Sequence, residues 1–124
     1  MKELTKAEEQ IMHILWKLNE GVVNDIIAKM SEPKPAYNTV STIVRILEKK
    51  GFVDHKAYGK THVYFPVVSK KEYTRSYMKN FMGNYFENSF REMVSFFAKE
   101  DNMSVSEIEE LMQDIKDEIK NENK

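Results

Sequence analysis

Pro35-Ala-Tyr-Asn-Thr-Val-Ser-Thr-Ile-Val-Arg-Ile-Leu-Glu-Lys-Lys-Gly51 is the stretch that decides the fold, together with the two runs that follow it, Phe52-Val-Asp-His-Lys-Ala-Tyr58 and Thr61-His-Val-Tyr-Phe-Pro-Val67. The first segment reads as one helix that opens after a proline and closes at a glycine. At 100° per residue, Val40, Ile43, Val44 and Leu47 fall on one side as a core-facing stripe. Asn38, Ser41, Thr42, Arg45 and Lys49 gather on the other side, with Thr39 on the flank. That outer face holds no acid and no large apolar group. Its amide, hydroxyl, guanidinium and ammonium groups are the kinds that hydrogen-bond base edges and phosphates. After Gly51 the period changes from 3.6 to 2, and Gly59-Lys60 separates the two β-prone runs as a hairpin turn. A hairpin directly after a recognition-type helix is the wing of a winged helix. The tip is expected to bring Lys56, Lys60 and Thr61 together for phosphate contacts beside the groove.

Upstream, Thr5 and Glu8 form a capping-box signature. A helix of about 5–18 is expected to bury Ala7, Ile11, Ile14, Leu15 and Leu18, with Trp16 as a packing residue. Asn19-Glu-Gly21 ends it. A shorter helix places Val23, Ile26, Ile27 and Met30 inward and stops before Pro33 and Pro35, which stiffen the entry to the third helix. Three short helices in this order match the helix-turn-helix scheme, in which a later helix enters the major groove.

Downstream, Ser69 and Glu72 repeat the capping pattern and open a long helical stretch. Its stripe of Tyr73, Tyr77, Met78, Phe81, Met82, Tyr85, Phe86, Phe90, Met93, Val94 and Phe97 is broader than a 55-residue tail can bury against itself. The segment Gly83–Ser89 is expected to kink or divide the helix, and Glu100-Asp-Asn102 to break it. Ser104 with Glu107 starts a last helix, whose Val105, Ile108, Met112, Ile115 and Ile119 form an a/d seam beside Leu111. So much apolar surface on a small helical tail points to a second copy of the chain. The expected dimer interface is Tyr77, Phe81, Tyr85, Phe90, Phe97, Ile108, Met112, Ile115 and Ile119. The fold class is therefore mostly α with a small β-hairpin: a winged helix-turn-helix DNA-binding domain over residues 1–68 and a C-terminal helical dimerisation domain over 69–124.

Charge divides along the same line. Residues 1–71 carry 12 Lys/Arg against 8 Asp/Glu, and residues 72–124 carry 7 against 12. Within 34–71 there are 8 basic residues and only two acids, Glu48 and Asp54. A basic half joined to an acidic half suggests a polyanion partner for the first and a different task for the second. No apolar run approaches the ~18–20 residues of a membrane span, and the N-terminal residues lack the apolar core of a signal peptide. With no cysteine there is neither a disulfide nor a thiolate metal site, and a reducing cytoplasm is the simplest location. His13, His55 and His62 form no i,i+4 pair and no H-E-x-x-H, so no metal or other cofactor is expected. No phosphate-binding glycine loop and no catalytic Ser/His/Asp order is present, and an enzyme is not expected.

Leu4-Thr-Lys-Ala-Glu-Glu-Gln-Ile-Met, Ile14-Leu-Trp16, Asn38-Thr-Val-Ser-Thr-Ile, Leu47-Glu-Lys-Lys-Gly-Phe-Val-Asp-His55, Tyr64-Phe-Pro66, Lys99-Glu-Asp and Ser106-Glu-Ile-Glu-Glu-Leu111 resemble the penicillinase repressors, the family of β-lactamase and methicillin-resistance repressors. The matches run through almost the whole chain in one order. The resemblance implies a cytoplasmic bacterial repressor, linked to antibiotic resistance, that binds dyad operators as a homodimer. Its two winged helices would meet half-sites about one DNA turn (~34–36 Å) or a multiple apart. In the family the opening turns of the third helix read bases, which carries onto Asn38, Thr39, Ser41 and Thr42. Asn38 suits an adenine edge, and a threonine methyl suits a thymine methyl. Arg45 and Lys49 fit phosphate contacts. Family members often have a basic residue where this chain has Asn38 or Ser41, so the resemblance does not carry over an operator sequence. The family is relieved by proteolysis, through a membrane-bound metalloprotease sensor. The aligned bond is Ser95-Phe96, where better-known members have Asn on the amino side. A copper-responsive relative carries a cysteine-rich metal site that this chain lacks.

Two further readings compete. Winged helices can also bind proteins, and the acidic, aromatic tail could serve as an adaptor surface; the basic 34–71 segment argues against a pure adaptor. A ligand-sensing regulator would need a pocket between the tail helices, for which the tail is short.

Overall fold

The computed structural model describes residues 1–100 together with 104, 106, 107, 109, 110, 113, 114 and 117. The element order is α1 (Lys6–Leu18), α2 (Val23–Ala28), α3 (Tyr37–Lys49), β1 (Val53–Tyr58), β2 (Thr61–Pro66), α4 (Lys70–Tyr85) and α5 (Phe90–Glu100). The chain divides into two compact units, Met1–Tyr77 and Met78–Lys124.

The first unit is a winged helix. α1 begins at the expected capping box: Glu8 N–H donates to Thr5 Oγ1 at 3.2 Å, and Thr5 N–H donates to Glu8 Oε1 at 3.1 Å. α1, α2 and α3 pack through Ile11, Met12, Leu15, Val23, Ile26, Val40, Val44 and Leu47, and Phe52, Val53, Tyr64 and Tyr73 complete the core. Ile14, Leu18, Ile27, Met30 and Ile43 are half-buried. One core expectation is corrected. Ala7 is exposed, and the inward face of α1 is carried by Glu8, Ile11, Met12 and Leu15. Helical phase allowed either face at the first turn. What turns Glu8 inward is the Lys50 ammonium, which donates to both of its carboxylate oxygens at 2.9 and 2.7 Å. A partner 42 residues away has no signal in a helical wheel.

The second end of α2 is closed by Lys34, whose Nζ donates to the carbonyls of Ile27, Ala28 and Met30 at 3.1, 3.3 and 2.8 Å. β1 and β2 pair antiparallel from Val53↔Pro66 to Tyr58↔Thr61, leaving Gly59-Lys60 as the two-residue turn. Gly59 has φ +64, a conformation that favours glycine at such a turn. Gly21 adds a single antiparallel bridge to Tyr64, so β2 is paired on both sides and β1 is the free edge. Trp16 Nε1 donates to the Val68 carbonyl at 2.9 Å, and the Tyr73 hydroxyl donates to Glu9 Oε2 at 3.0 Å. These two bonds fix the start of α4 against α1.

In the second unit, α4 and α5 are separated as expected. Glu87 and Asn88 take φ of 51° and 64° between them. Gly83 leaves room for the Asn88 side chain, whose Oδ1 lies 3.2 Å from where a Cβ would stand. Ser89 Oγ accepts from Glu92 N–H at 3.1 Å and caps α5, a cap the sequence reading did not single out. Phe81, Phe86, Phe96 and Phe97 form a chain of ring contacts with centroids 5.5–6.4 Å apart. Met93 is the one buried apolar side chain among the described residues of this unit, while Met78, Tyr85, Phe90, Phe96 and Phe97 stay exposed. The expected last helix starts with Glu107 N–H donating to Ser104 Oγ at 3.1 Å. Its seam residues Val105, Ile108, Leu111, Met112, Ile115 and Ile119 lie outside the described residues.

Candidate nucleic-acid interface

α3 presents two adjacent strips to solvent, and the physical cause is its 3.6-residue turn. Tyr37, Ser41 and Arg45 are four residues apart and face the wing. With Val22, Val23 and Asn24 of the α2 end, and Lys60, Thr61, His62 and Tyr64 of the wing, they line a cleft of about 400 Å³. Asn38 and Thr42 form the neighbouring strip, both exposed. The Thr42 hydroxyl donates to the Asn38 carbonyl at 2.8 Å. That bond engages the hydroxyl within the helix, on a residue that is itself exposed. Thr39 is exposed but belongs to a different recess of about 270 Å³, lined by Gln10, Met30, Pro33, Pro35 and Ile43 among others. The structure therefore brings Ser41, Arg45, Lys60 and Thr61 around one cleft, puts Asn38 and Thr42 beside it, and turns Thr39 toward the α2–α3 connection.

Electrostatics sharpen the distinction between basic residues that are free and those that are committed. Lys34 caps α2, and Lys50 is paired with Glu8. Burial alone would raise the Glu8 carboxyl, but the hydrogen bonds from Lys50 and Thr5 outweigh it and hold Glu8 below its usual range. Lys49 and Arg45 are exposed on α3, and Arg45 Nε donates back to the Ser41 carbonyl at 3.4 Å. Lys56 departs from the expected tip cluster. Strand alternation puts it on the face opposite His55, and its ammonium sits over the Phe65 ring at 5.6 Å. The register keeps Lys56 on the same face as Thr61, which pairs with Tyr58, and it is the Phe65 contact that draws its ammonium toward the base of the wing.

The cleft also contains residues that sequence reasoning did not assign. Tyr37 is 53 % exposed at the first position of α3, and Asn24 faces it from α2. The Tyr37 position was visible in the wheel, since it lies one turn before Ser41. Asn24 had no signal, because only the packing of α2 against α3 puts it there. Tyr64, at the base of the cleft, has its hydroxyl pushed up by burial and by the nearby Glu48 carboxylate.

Among the described residues, the sequence's two-acid minority in 34–71 is not dispersed. Glu48, Asp54 and His55 lie together where α3 ends and β1 begins. His55 Nδ1 meets Glu48 Oε1, and the His55 ring stacks on His62 with centroids 4.2 Å apart.

Residues 4–117 match the family described as penicillinase repressor. The chain is 31 % identical over 110 residues to the methicillin resistance regulatory protein MecI of Staphylococcus aureus strain N315, covering 88 % of this chain and 89 % of that protein. It is 29 % identical over 123 residues to the penicillinase repressor of Bacillus licheniformis, covering 98 % and 95 %. The solution structure of the DNA-binding domain of the repressor BlaI superposes with a TM-score of 0.50 at 28 % identity, over 59 % of this chain and 94 % of that one.

Proposed function

The chain belongs to the penicillinase repressor family of DNA-binding transcriptional repressors, and on that premise we propose that it represses transcription as a homodimer on dyad operators and is relieved by cleavage within its C-terminal unit. The observation that carries the DNA reading is the outer face of α3, with Asn38, Thr42, Arg45 and Lys49 exposed, set beside a wing whose tip offers Lys60 and Thr61. α3 enters the major groove with Asn38, Ser41 and Thr42 at base edges. Thr39, on the flank, reaches the base edges nearest the α2–α3 connection. Arg45, Lys49, Lys60 and Thr61 hold the phosphates; Lys56 contacts the backbone from the outer face of the wing.

Dimerisation is supported by the second unit's apolar excess. Tyr85, Phe90, Phe96 and Phe97 are 72, 48, 49 and 42 % exposed, an unusual density for a surface that meets only water. Tyr77 and Phe81 extend the same stripe, and the Ile108, Met112, Ile115 and Ile119 seam continues it in sequence. Cleavage at Ser95-Phe96 is supported by the exposure of both residues on α5. Cutting there releases the last helix from the chain. Two linked half-site contacts then become independent, and affinity falls by the lost effective concentration. A membrane-bound sensor linked to a protease is the partner this relief requires.

The test is a titration of the full chain against duplex DNA from upstream of its own gene, with random competitor and at several salt concentrations. Competitor-resistant binding of a dimer, with log affinity falling linearly in log salt, is the expected result. Binding that competitor abolishes on every candidate upstream duplex overturns the repressor reading. Mass spectrometry of the chain from derepressed cells reads the cleavage separately, and an intact chain there removes it.

A further inference from the structure

We propose that Glu48, Asp54 and His55 form a binding site for a divalent transition-metal cation of the zinc type, at the junction of the recognition helix and the wing. Each residue offers one ligand atom, and these atoms all lie within 4.8 Å of one another. Ligand atoms on a tetrahedral zinc at ~2.0–2.2 Å stand about 3.4 Å apart, so side-chain adjustments of about an ångström close the set around an ion. One imidazole with two carboxylates is a donor set that suits zinc, while magnesium and calcium take oxygen ligands alone. Three protein ligands leave the fourth position to water.

Three observations argue that the cluster is more than a hinge hydrogen bond. A bond between His55 and Glu48 accounts for those two side chains, and among the described residues Asp54 has only the His55 backbone N–H as a partner. Glu48 and Asp54 are the only acids in residues 34–71, against 8 basic residues, and the fold places both at one point. Among the described residues no Lys or Arg forms an ion pair with either, although Lys49 and Lys50 are close in sequence. Lys50 is spent on Glu8. Two carboxylates this close repel each other unless a cation or a proton intervenes. Glu48 also lies in the last turn of α3, where the negative end of the helix dipole favours positive charge.

The local backbone preforms the site. Asp54 Oδ1 accepts from the His55 backbone N–H at 2.7 Å on β1, the free edge strand, which folds the carboxylate back onto the chain, within 4.8 Å of the other two ligand atoms. The His62 ring, stacked on His55 at an interplanar angle of 14°, restricts the imidazole's rotation. A bound ion would cross-link the end of α3 to the first residues of the wing, and would cancel the two negative charges of the basic segment.

The test uses the full chain, stripped with a chelator and desalted, and zinc chloride alone as the probe in isothermal titration calorimetry. One zinc per chain is expected, with affinity lowered at least ~10-fold in Glu48→Gln and in Asp54→Asn, and with no heat from magnesium at the same concentrations. Neither side chain belongs to the apolar core, and circular dichroism checks that each variant folds. Imidazole ¹⁵N resonances of the wild-type chain give a second reading: zinc should shift those of His55 and leave those of His13 in place. No zinc uptake by the wild type overturns the proposal, and so does equal binding by the variants or a shift at His13 without one at His55. No DNA is present in either measurement, so the result stands apart from the repressor reading.

Discussion

Single side chains in the first unit have separable roles, and substitutions can tell them apart. Arg45 is exposed and folded along α3 toward the wing, in reach of phosphate. Arg45→Ala should weaken binding to all sequences alike and lower the salt slope by about 1. Thr42 is exposed and its hydroxyl is engaged by the Asn38 carbonyl, so Thr42→Ala, which removes the methyl, should relax base preference at one position, at about 1–3 kcal/mol of discrimination. A uniform loss for both, measured across a panel of operator variants, would reverse this assignment. Glu8 is the residue that gives stability its acid dependence. Its folded value lies below its unfolded one, so its contribution is complete above the ordinary glutamate range and is lost as pH falls through the lowered folded value. Urea unfolding of the wild type and of Glu8→Gln should differ at neutral pH and converge in acid. Tyr73 works in the opposite direction. Burial and the Glu9 carboxylate push its hydroxyl up to about 12, so its contribution holds at neutral pH and fails only at extreme alkalinity. The trio of Glu48, Asp54 and His55 has no local sequence signature. Glu48 and His55 are seven residues apart and become neighbours only because the chain reverses at Gly51.

At the level of elements, the helices and hairpin were legible because each has a local cause. The capping box at Thr5 and the side-chain cap at Ser69 mark helix starts, and the alternation from Phe52 onward marks the strands. Leu47 is fully buried where α3 crosses the core, so Leu47→Ala should cost about 2–5 kcal/mol. Gly59 holds the wing's turn at φ +64, with nothing within 4 Å of an added Cβ. The cost of Gly59→Ala is therefore conformational, about 1–2 kcal/mol, and should appear as faster amide exchange in β1 and β2 with α1–α3 unaffected. Loss of protection throughout the first unit would show that the hairpin does not open by itself. Lys56 shows the limit of local reading. Its residue type and its parity with Thr61 fitted a phosphate-binding tip, while a cross-strand contact holds its ammonium over Phe65.

For the whole molecule, the proposed dimer rests on apolar surface that the second unit does not bury among its described residues. Phe90→Asp combined with Phe97→Asp should give monomers by sedimentation and reduce operator affinity more than 100-fold, within the ~10²–10⁴ that linkage supplies. An intact dimer would remove these residues from the interface. By itself, the sequence determined the order of elements, the core stripe of α3, the wing and the family, because periodicity, caps and turn residues act over a few positions and leave their mark in the chain. Only the tertiary structure decided that Lys50 pairs with Glu8 and Lys34 caps α2, that Lys56 packs over Phe65, how Asn24 joins Tyr37, and that Glu48 and Asp54 meet at His55. Those outcomes depend on partners such as Glu8 and Lys50, 42 residues apart, whose pairing is set by packing and leaves no periodic trace.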